Sequence, residues 1–210
     1  MAAPTIGVLA LQGAFGAHAA SFREVGIAAR EIRRVAELDG LGALMIPGGE
    51  STTLLNLMED EPWFDRLRGF HDQGGVLAGT CAGAILLCRE VRPRQPSLSL
   101  LDAVIERNAF GRQVDSFEAA VHAPALGGPV DGVFIRAPRF RALWPDVDVL
   151  GRLEEEPVLV RQGRVVAATF HPELTRGLAF HRYVADLTRT TKHARPAPSQ
   201  AARHPPSAEA

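Results

Sequence analysis

Cys81 sits at the centre of Gly79-Thr80-Cys81-Ala82-Gly83, between an apolar run that reads as a strand (residues 76–78) and one that reads as a helix (84–88). A G-x-nucleophile-x-G pattern on a strand-to-helix turn displays the central side chain at the end of a sheet. Such a turn forces strained backbone angles and close approach of strand and helix, so small residues are needed on both sides of the nucleophile. The thiol is then left at a helix start, where unpaired N–H groups favour its thiolate. The expected chemistry is nucleophilic catalysis.

A thiolate nucleophile needs a base that can later protonate a leaving group. His171 is the best candidate. It follows the strand-like Val165-Val166-Ala167-Ala168-Thr169-Phe170, and Glu173 lies two residues on, so in extended backbone imidazole and carboxylate project to the same side. Pro172 between them stiffens the link. A carboxylate on one ring nitrogen fixes the tautomer and leaves the other nitrogen for the sulfur. The remaining histidines lack this setting. His18, His71 and His181 fall in amphipathic helical patterns, His122 in a strand-to-loop segment, and His193 and His204 in the terminal segment, so surface or structural roles are expected for them.

An oxyanion formed by attack on a carbonyl needs preorganised N–H donors. Pro47-Gly48-Gly49-Glu50-Ser51 follows the strand-like residues 43–46 and precedes a helical pattern. One N–H of Gly48 or Gly49, together with that of Ala82, is the candidate oxyanion hole. The same pattern also fits an ordinary turn, with Ser51 or Thr52 as helix N-cap. No G-x-x-x-x-G-K-[ST] run supports a phosphate-binding loop, and the cysteines and histidines show no zinc-ligand spacing, so no metal and no cofactor are expected.

These groups need a scaffold, and the chain supplies a recognisable one. Short aliphatic runs at 8–11, 27–32, 43–46 and 76–78 alternate with helical patterns at 14–25, 52–58, 63–73 and after Cys81. Continuous rather than alternating apolar strands indicate burial on both faces. The expected fold is therefore α/β in three layers, with a mainly parallel central sheet flanked by helices. From residue 104 onward the strand-like runs are closely spaced, with Gly127-Gly128-Pro129 and Gln162-Gly163 as turns, so antiparallel strands are expected in the second half. Residues 178–187 read as a closing helix. One domain is expected over 1–191. Residues 192–210 are rich in Ala, Pro, Ser and Arg and read as a disordered tail.

Composition narrows the class further. At 210 residues and 46% hydrophobic, the chain can bury a core without staples. Cys81 and Cys88, seven apart on what reads as one helix, would be ~10 Å apart, too far for a disulfide. Reduced thiols are expected, as in cytosol. A net charge of −1 gives no electrostatic case for nucleic acid or an anionic membrane. Neither a membrane span nor a signal peptide is visible, and a cytoplasmic location is expected.

Gly79-Thr80-Cys81-Ala82-Gly83 with His171-Pro172-Glu173 resembles the class I, triad-type glutamine amidotransferases, whose fold is flavodoxin-like. Five blocks resemble one branch more closely: Leu9-Ala10-Leu11-Gln12-Gly13, Ile46-Pro47-Gly48-Gly49-Glu50-Ser51-Thr52-Thr53, Glu106-Arg107-Asn108-Ala109-Phe110-Gly111-Arg112-Gln113, Phe134-Ile135-Arg136-Ala137-Pro138 and His171-Pro172-Glu173-Leu174-Thr175. That branch is the family of glutaminase subunits of pyridoxal 5′-phosphate synthase. The blocks occur in family order and cover about 190 residues.

The resemblance implies hydrolysis of L-glutamine to L-glutamate and ammonia. Ammonia would pass to a separate (β/α)8-barrel synthase subunit that builds pyridoxal 5′-phosphate from a pentose phosphate and a triose phosphate. Cys81 would be nucleophile, His171 acid and base, and Glu173 its orienter. Gly49, Glu50, Ser51, Arg107, Ile135 and Arg136 would line the glutamine site, and Gln12 would belong to the partner-contact region that shapes the oxyanion hole. Arginine suits an α-carboxylate and Glu50 an α-ammonium, although the chemistry leaves open which group each touches. The Arg- and Pro-rich stretch 89–99 departs from the family pattern and is expected to stay clear of the site. Two other readings keep a place: a cysteine hydrolase of another amide or ester, and a non-catalytic binding partner.

Overall fold

The computed structural model describes residues 5–107 and 116–190. The strands are β1 (Thr5–Leu9), β2 (Ala29–Ile32), β3 (Leu41–Ile46), β4 (Val76–Thr80), β5 (Cys88–Arg92), β6 (Leu101–Glu106), β7 (Phe117–Val121), β8 (Val130–Phe134), β9 (Arg139–Leu143), β10 (Asp148–Leu153), β11 (Glu156–Gln162) and β12 (Val165–Ala168). The helices are α1 (Phe15–Glu24), α2 (Ser51–Leu57), α3 (Trp63–Asp72), α4 (Ala82–Leu87) and α5 (Ala179–Thr190).

Seven strands form the main sheet in the order β10-β11-β12-β4-β3-β1-β2. From β2 to β12 every pairing is parallel, and β11 and β10 add antiparallel strands at one edge. Every residue of β4 and β12 is buried, which is why these strands read as unbroken apolar runs. Alternate strand residues serve opposite faces. Ile6, Val8, Met45 and Val166 pack under Phe22 of α1 and Phe180 and Val184 of α5. Leu44, Ile46 and Val165 face the other way, under Leu54 of α2, Trp63 and Leu67 of α3 and Leu86 of α4. The expected three layers, parallel centre and late antiparallel strands are all present.

Two smaller sheets complete the described residues: β5-β6-β9, in which β5 and β6 are parallel, and the hairpin β7-β8. Here the sequence reading needs correction. The helix after Cys81 ends at Leu87, and Cys88 opens β5 instead of closing that helix. Both thiols are free, and Cys88 is fully buried. The Arg-rich start of residues 89–99 is thus a strand. Residues 108–113 of the third family block and the terminal segment 192–210 lie outside the described residues. Among the described residues no helix is long and apolar enough to cross a membrane.

Candidate active site

The site lies where β4 and β12 end side by side. These strands pair in parallel, with Ala168 opposite Thr80, so the chains leaving them emerge as neighbours although 90 positions separate Cys81 from His171. Cys81 has φ 47° and ψ −104°, a left-handed conformation strained for a residue with a side chain. Its N–H donates to Ala168 O at 2.8 Å, and its carbonyl accepts from Ile85 N at 3.1 Å. The flanking glycines are sterically required. A Cβ on Gly79 would stand 2.5 Å from the Gly83 carbonyl carbon, and one on Gly83 would stand 2.1 Å from Ile46 O. The elbow can therefore close only against bare backbone.

His171 is pinned through its backbone by reciprocal bonds with Val133 of β8: its N–H donates to Val133 O at 2.8 Å and its carbonyl accepts from Val133 N at 3.2 Å. Its Nδ1 donates to Glu173 Oε1 at 2.9 Å, which leaves Nε2 for the sulfur. Both side chains are nearly buried. Burial alone would lower the imidazole's pKa, but hydrogen bonds to Cys81 and Glu173 and their charges outweigh it, raising the value to about 10. Burial likewise opposes ionisation of Glu173, yet the hydrogen bond from His171 and the closeness of His18 hold its carboxyl well below the usual carboxylate range. At neutral pH the site thus holds an imidazolium beside a carboxylate.

The Gly48-Gly49 turn after β3 closes the other side. A Cβ on Gly48 would lie 2.3 Å from His171 Cε1 and 3.0 Å from Cys81 Cβ, so this turn touches nucleophile and base together. A Cβ on Gly49, whose φ is +143°, would lie 2.1 Å from Gln12 Oε1, and one on Gly13 would lie 1.8 Å from Gly48 O. The loop after β1 therefore rests directly on the glycine turn, with Gln12 over Gly49. The Gln12 Nε2 donor is buried without a partner among the described residues. Ala82, at the first position of α4 directly after Cys81, is fully buried.

Glu50, rather than Ser51 or Thr52, is the N-cap of α2. Its Oε2 accepts from Thr53 N at 2.7 Å, from Thr53 Oγ1 at 3.1 Å and from Thr52 Oγ1. The Thr52 hydroxyl and the Thr53 N–H bring its pKa down to about 2. Its Oε1 faces Arg107 at 3.5 Å. Arg107 and Ser51 share one acceptor, Gln95 Oε1, which Ser51 Oγ reaches at 3.0 Å. Ile135 and Arg136 form the turn two residues beyond the His171–Val133 bridge, and Arg136 has a left-handed φ of 42°. Cys81, His171, Glu173 and the Gly48-Gly49 turn thus meet at the carboxyl ends of β3, β4 and β12, and Glu50, Ser51, Arg107 and Gln95 are joined to one another just after that turn. Among the described residues no group of three or more side chains could hold a metal ion.

Residues 8–188 match the SNO glutamine amidotransferase family. The chain belongs to that family. It is 52% identical over 185 residues to the pyridoxal 5′-phosphate synthase subunit PdxT of Thermus thermophilus, covering 87% of this chain and 96% of that one. With the Deinococcus radiodurans subunit of the same name it shares 49% identity over 189 residues, again covering 87% and 96%. A crystal structure of a glutamine amidotransferase, 50% identical, superposes with a TM-score of 0.83 over 88% of this chain and 99% of that one. The class I amidotransferase-like fold follows from this match.

Within this amidotransferase, sequence reasoning missed three polar residues. His18 and His181 are fully buried. Glu173 Oε2 lies 3.2 Å from His18 Nε2, and His18 Nδ1 lies 2.9 Å from His181 Nε2. In sequence both fit the surface or structural roles expected of histidines in amphipathic helical patterns, and their burial makes them structural. The third is Gln95, which corrects the expectation that residues 89–99 stay clear of the site. An open cavity of ≈ 700 Å³ edged by Arg89, Glu90, Arg92 and Arg94 shares Gln95 with it. Gln95→Ala removes the acceptor that orients Ser51 and Arg107. The expected result is a rise of about tenfold in KM for glutamine, equivalent to ~1.4 kcal/mol of binding, with kcat nearly unchanged. Steady-state glutaminase kinetics would check it, and an unchanged KM would separate Gln95 from the substrate.

Proposed function

We propose that the chain is the glutaminase subunit of pyridoxal 5′-phosphate synthase and that Cys81, His171 and Glu173 carry its chemistry. The observation supporting the catalytic reading is the convergence, at the ends of two adjacent parallel strands, of a strained cysteine with an imidazole held by a buried carboxylate. The Cys81 sulfur attacks the side-chain amide of L-glutamine. Backbone N–H groups of Gly48 or Gly49 and of Ala82 hold the oxyanion, each donor contributing ~2.7 to 4 kcal/mol to the transition state. His171 then protonates the departing ammonia, leaving a γ-glutamyl thioester. Water activated by the now neutral imidazole cleaves this to L-glutamate.

Glutamine's α-groups fall to Glu50, Ser51, Arg107, Ile135 and Arg136. Arg107 suits the α-carboxylate because its guanidinium is a planar, permanently charged fork. Ammonia passes to a barrel-shaped synthase subunit, and docking of that subunit reaches the oxyanion turn through Gln12, which lies against Gly49. The site needs no cofactor for amide hydrolysis. Glutaminase rates measured with and without the synthase subunit test the coupling. Stimulation of tenfold or more is expected, because a preorganised oxyanion hole contributes on that scale. Equal rates would remove the activation.

A further inference from the structure

We propose that His18 is a positioning residue for the triad, presenting its Nε2–H to the Glu173 oxygen that His171 does not use while His181 fixes its tautomer from behind. The proposal rests on the triad reading above and extends it by two residues. Glu173 Oε1 is occupied by His171, and Oε2 lies in fully buried surroundings with His18 Nε2 at 3.2 Å. That contact falls short of a well-aligned hydrogen bond, and Thr80 Oγ1 stands at the same 3.2 Å from the same nitrogen. No other donor to Oε2 occurs among the described residues.

The protonation pattern follows from what each nitrogen faces. An unprotonated Nε2 would aim a lone pair at a carboxylate, so Nε2 of His18 carries the hydrogen. If His18 is neutral, its Nδ1 is then an acceptor, and His181 Nε2–H donates to it across 2.9 Å. The other His181 nitrogen, Nδ1, then carries only a lone pair, and it has no partner among the described residues. Charging His18 instead would make its Nδ1 a donor and force a hydrogen onto that partnerless His181 nitrogen, a buried N–H with no acceptor. The His181 ring lies edge-on to Phe22 and Phe180, surroundings that disfavour charge. Burial pushes its pKa down to about 3.

The titratable groups facing His18 are thus Glu173 and, behind that carboxylate, His171, on the chain after β12, and His181 on α5; Thr80 on β4 is its neutral polar neighbour. Five side chains form one line running from the sulfur through the sheet end to the α1–α5 interface: Cys81, His171, Glu173, His18 and His181. His18 keeps the carboxylate ionised and facing the imidazole. Without its N–H, Oε2 is a buried anionic oxygen with no donor, so Glu173 supports the His171 imidazolium less well.

Two neutral substitutions separate this role from packing. In His18→Gln the amide nitrogen falls close to the position of Nε2, whereas in His18→Asn it falls close to Nδ1 and cannot reach Oε2. In the full chain, the pH midpoint of the His171 ring, read from its Cε1–H NMR signal, is expected to drop by about one unit in His18→Asn and to move little in His18→Gln. With the synthase subunit present, kcat for glutamine is expected to fall at least tenfold in the Asn variant, with KM unchanged, and to recover to within about threefold in the Gln variant. A wild-type His171 midpoint in His18→Asn, or equal losses in the two variants, would overturn the proposal. The ring titration needs no glutamine, so its outcome is separable from that of the glutaminase assignment.

Discussion

Replacing Cys81 with Ala is expected to lower glutamine hydrolysis by at least about 10⁴-fold, because a nucleophile acting with its base as one unit cannot be lost by halves. Only the sulfur is removed. The neighbouring backbone is held by the Cys81 bonds to Ala168 and Ile85, which the substitution retains, and alanine fits beside Gly79 and Gly83. The melting temperature should therefore stay within a few degrees of wild type, in line with ~1 kcal/mol for a small buried truncation. A glutaminase assay in the presence of the synthase, paired with thermal denaturation, separates loss of chemistry from loss of fold. Retained hydrolysis in a folded variant would dismiss Cys81 as the nucleophile.

The second large effect concerns Glu173→Gln. The site demands two acceptors, one facing His171 Nδ1–H and one facing His18 Nε2–H. A carboxylate supplies both. An amide supplies one acceptor and one NH₂, so a donor must meet a donor unless one histidine changes tautomer. A change at His171 puts the hydrogen on Nε2 and removes the lone pair that must take and return protons. A change at His18 moves the conflict to His181, whose far nitrogen has no partner to receive it. Either way turnover falls, by about 10² to 10⁴-fold, while KM for glutamine changes little because no substrate contact is lost. The imidazolium also loses its counter-charge, so the pKa of His171, raised to about 10 in the intact site, should drop. Unaltered kcat would make the carboxylate merely structural.

Local signals explain what the sequence made legible. Cys81 is marked by two glycines whose missing Cβ atoms let strand, turn and helix close on one another, and the reason can be read from five consecutive residues. His171 and Glu173 are marked by their i, i+2 spacing after an apolar strand. The parallel sheet shows in the unbroken burial of β4 and β12.

What was missed depends on long-range packing. His18 and His181 lie 163 positions apart, and only the stacking of α1 and α5 on the same sheet face turns both inward. In sequence each is a polar residue in an amphipathic helix. Strand β9 reads Arg-Phe-Arg-Ala-Leu, an edge-strand pattern too short and charged to announce itself, and β5 starts at the residue where α4 stops, so one apolar run spans two elements. Gln95 carries no local signal at all. Its importance comes from serving Ser51 and Arg107 at once, from a segment whose composition suggests a solvated loop.

The most direct single test treats the chain, together with the synthase subunit, with a glutamine-mimicking electrophile such as a diazoketone or chloroketone analogue, followed by peptide mapping. Cys88 is fully buried, with its thiol pushed far up by burial, and should not compete. One adduct on Cys81, formed in step with loss of glutaminase activity and blocked by L-glutamine, is the expected result. Full inactivation with the adduct on another residue, or with Cys81 unmodified, would contradict the assignment of Cys81, His171 and Glu173 as the hydrolytic centre.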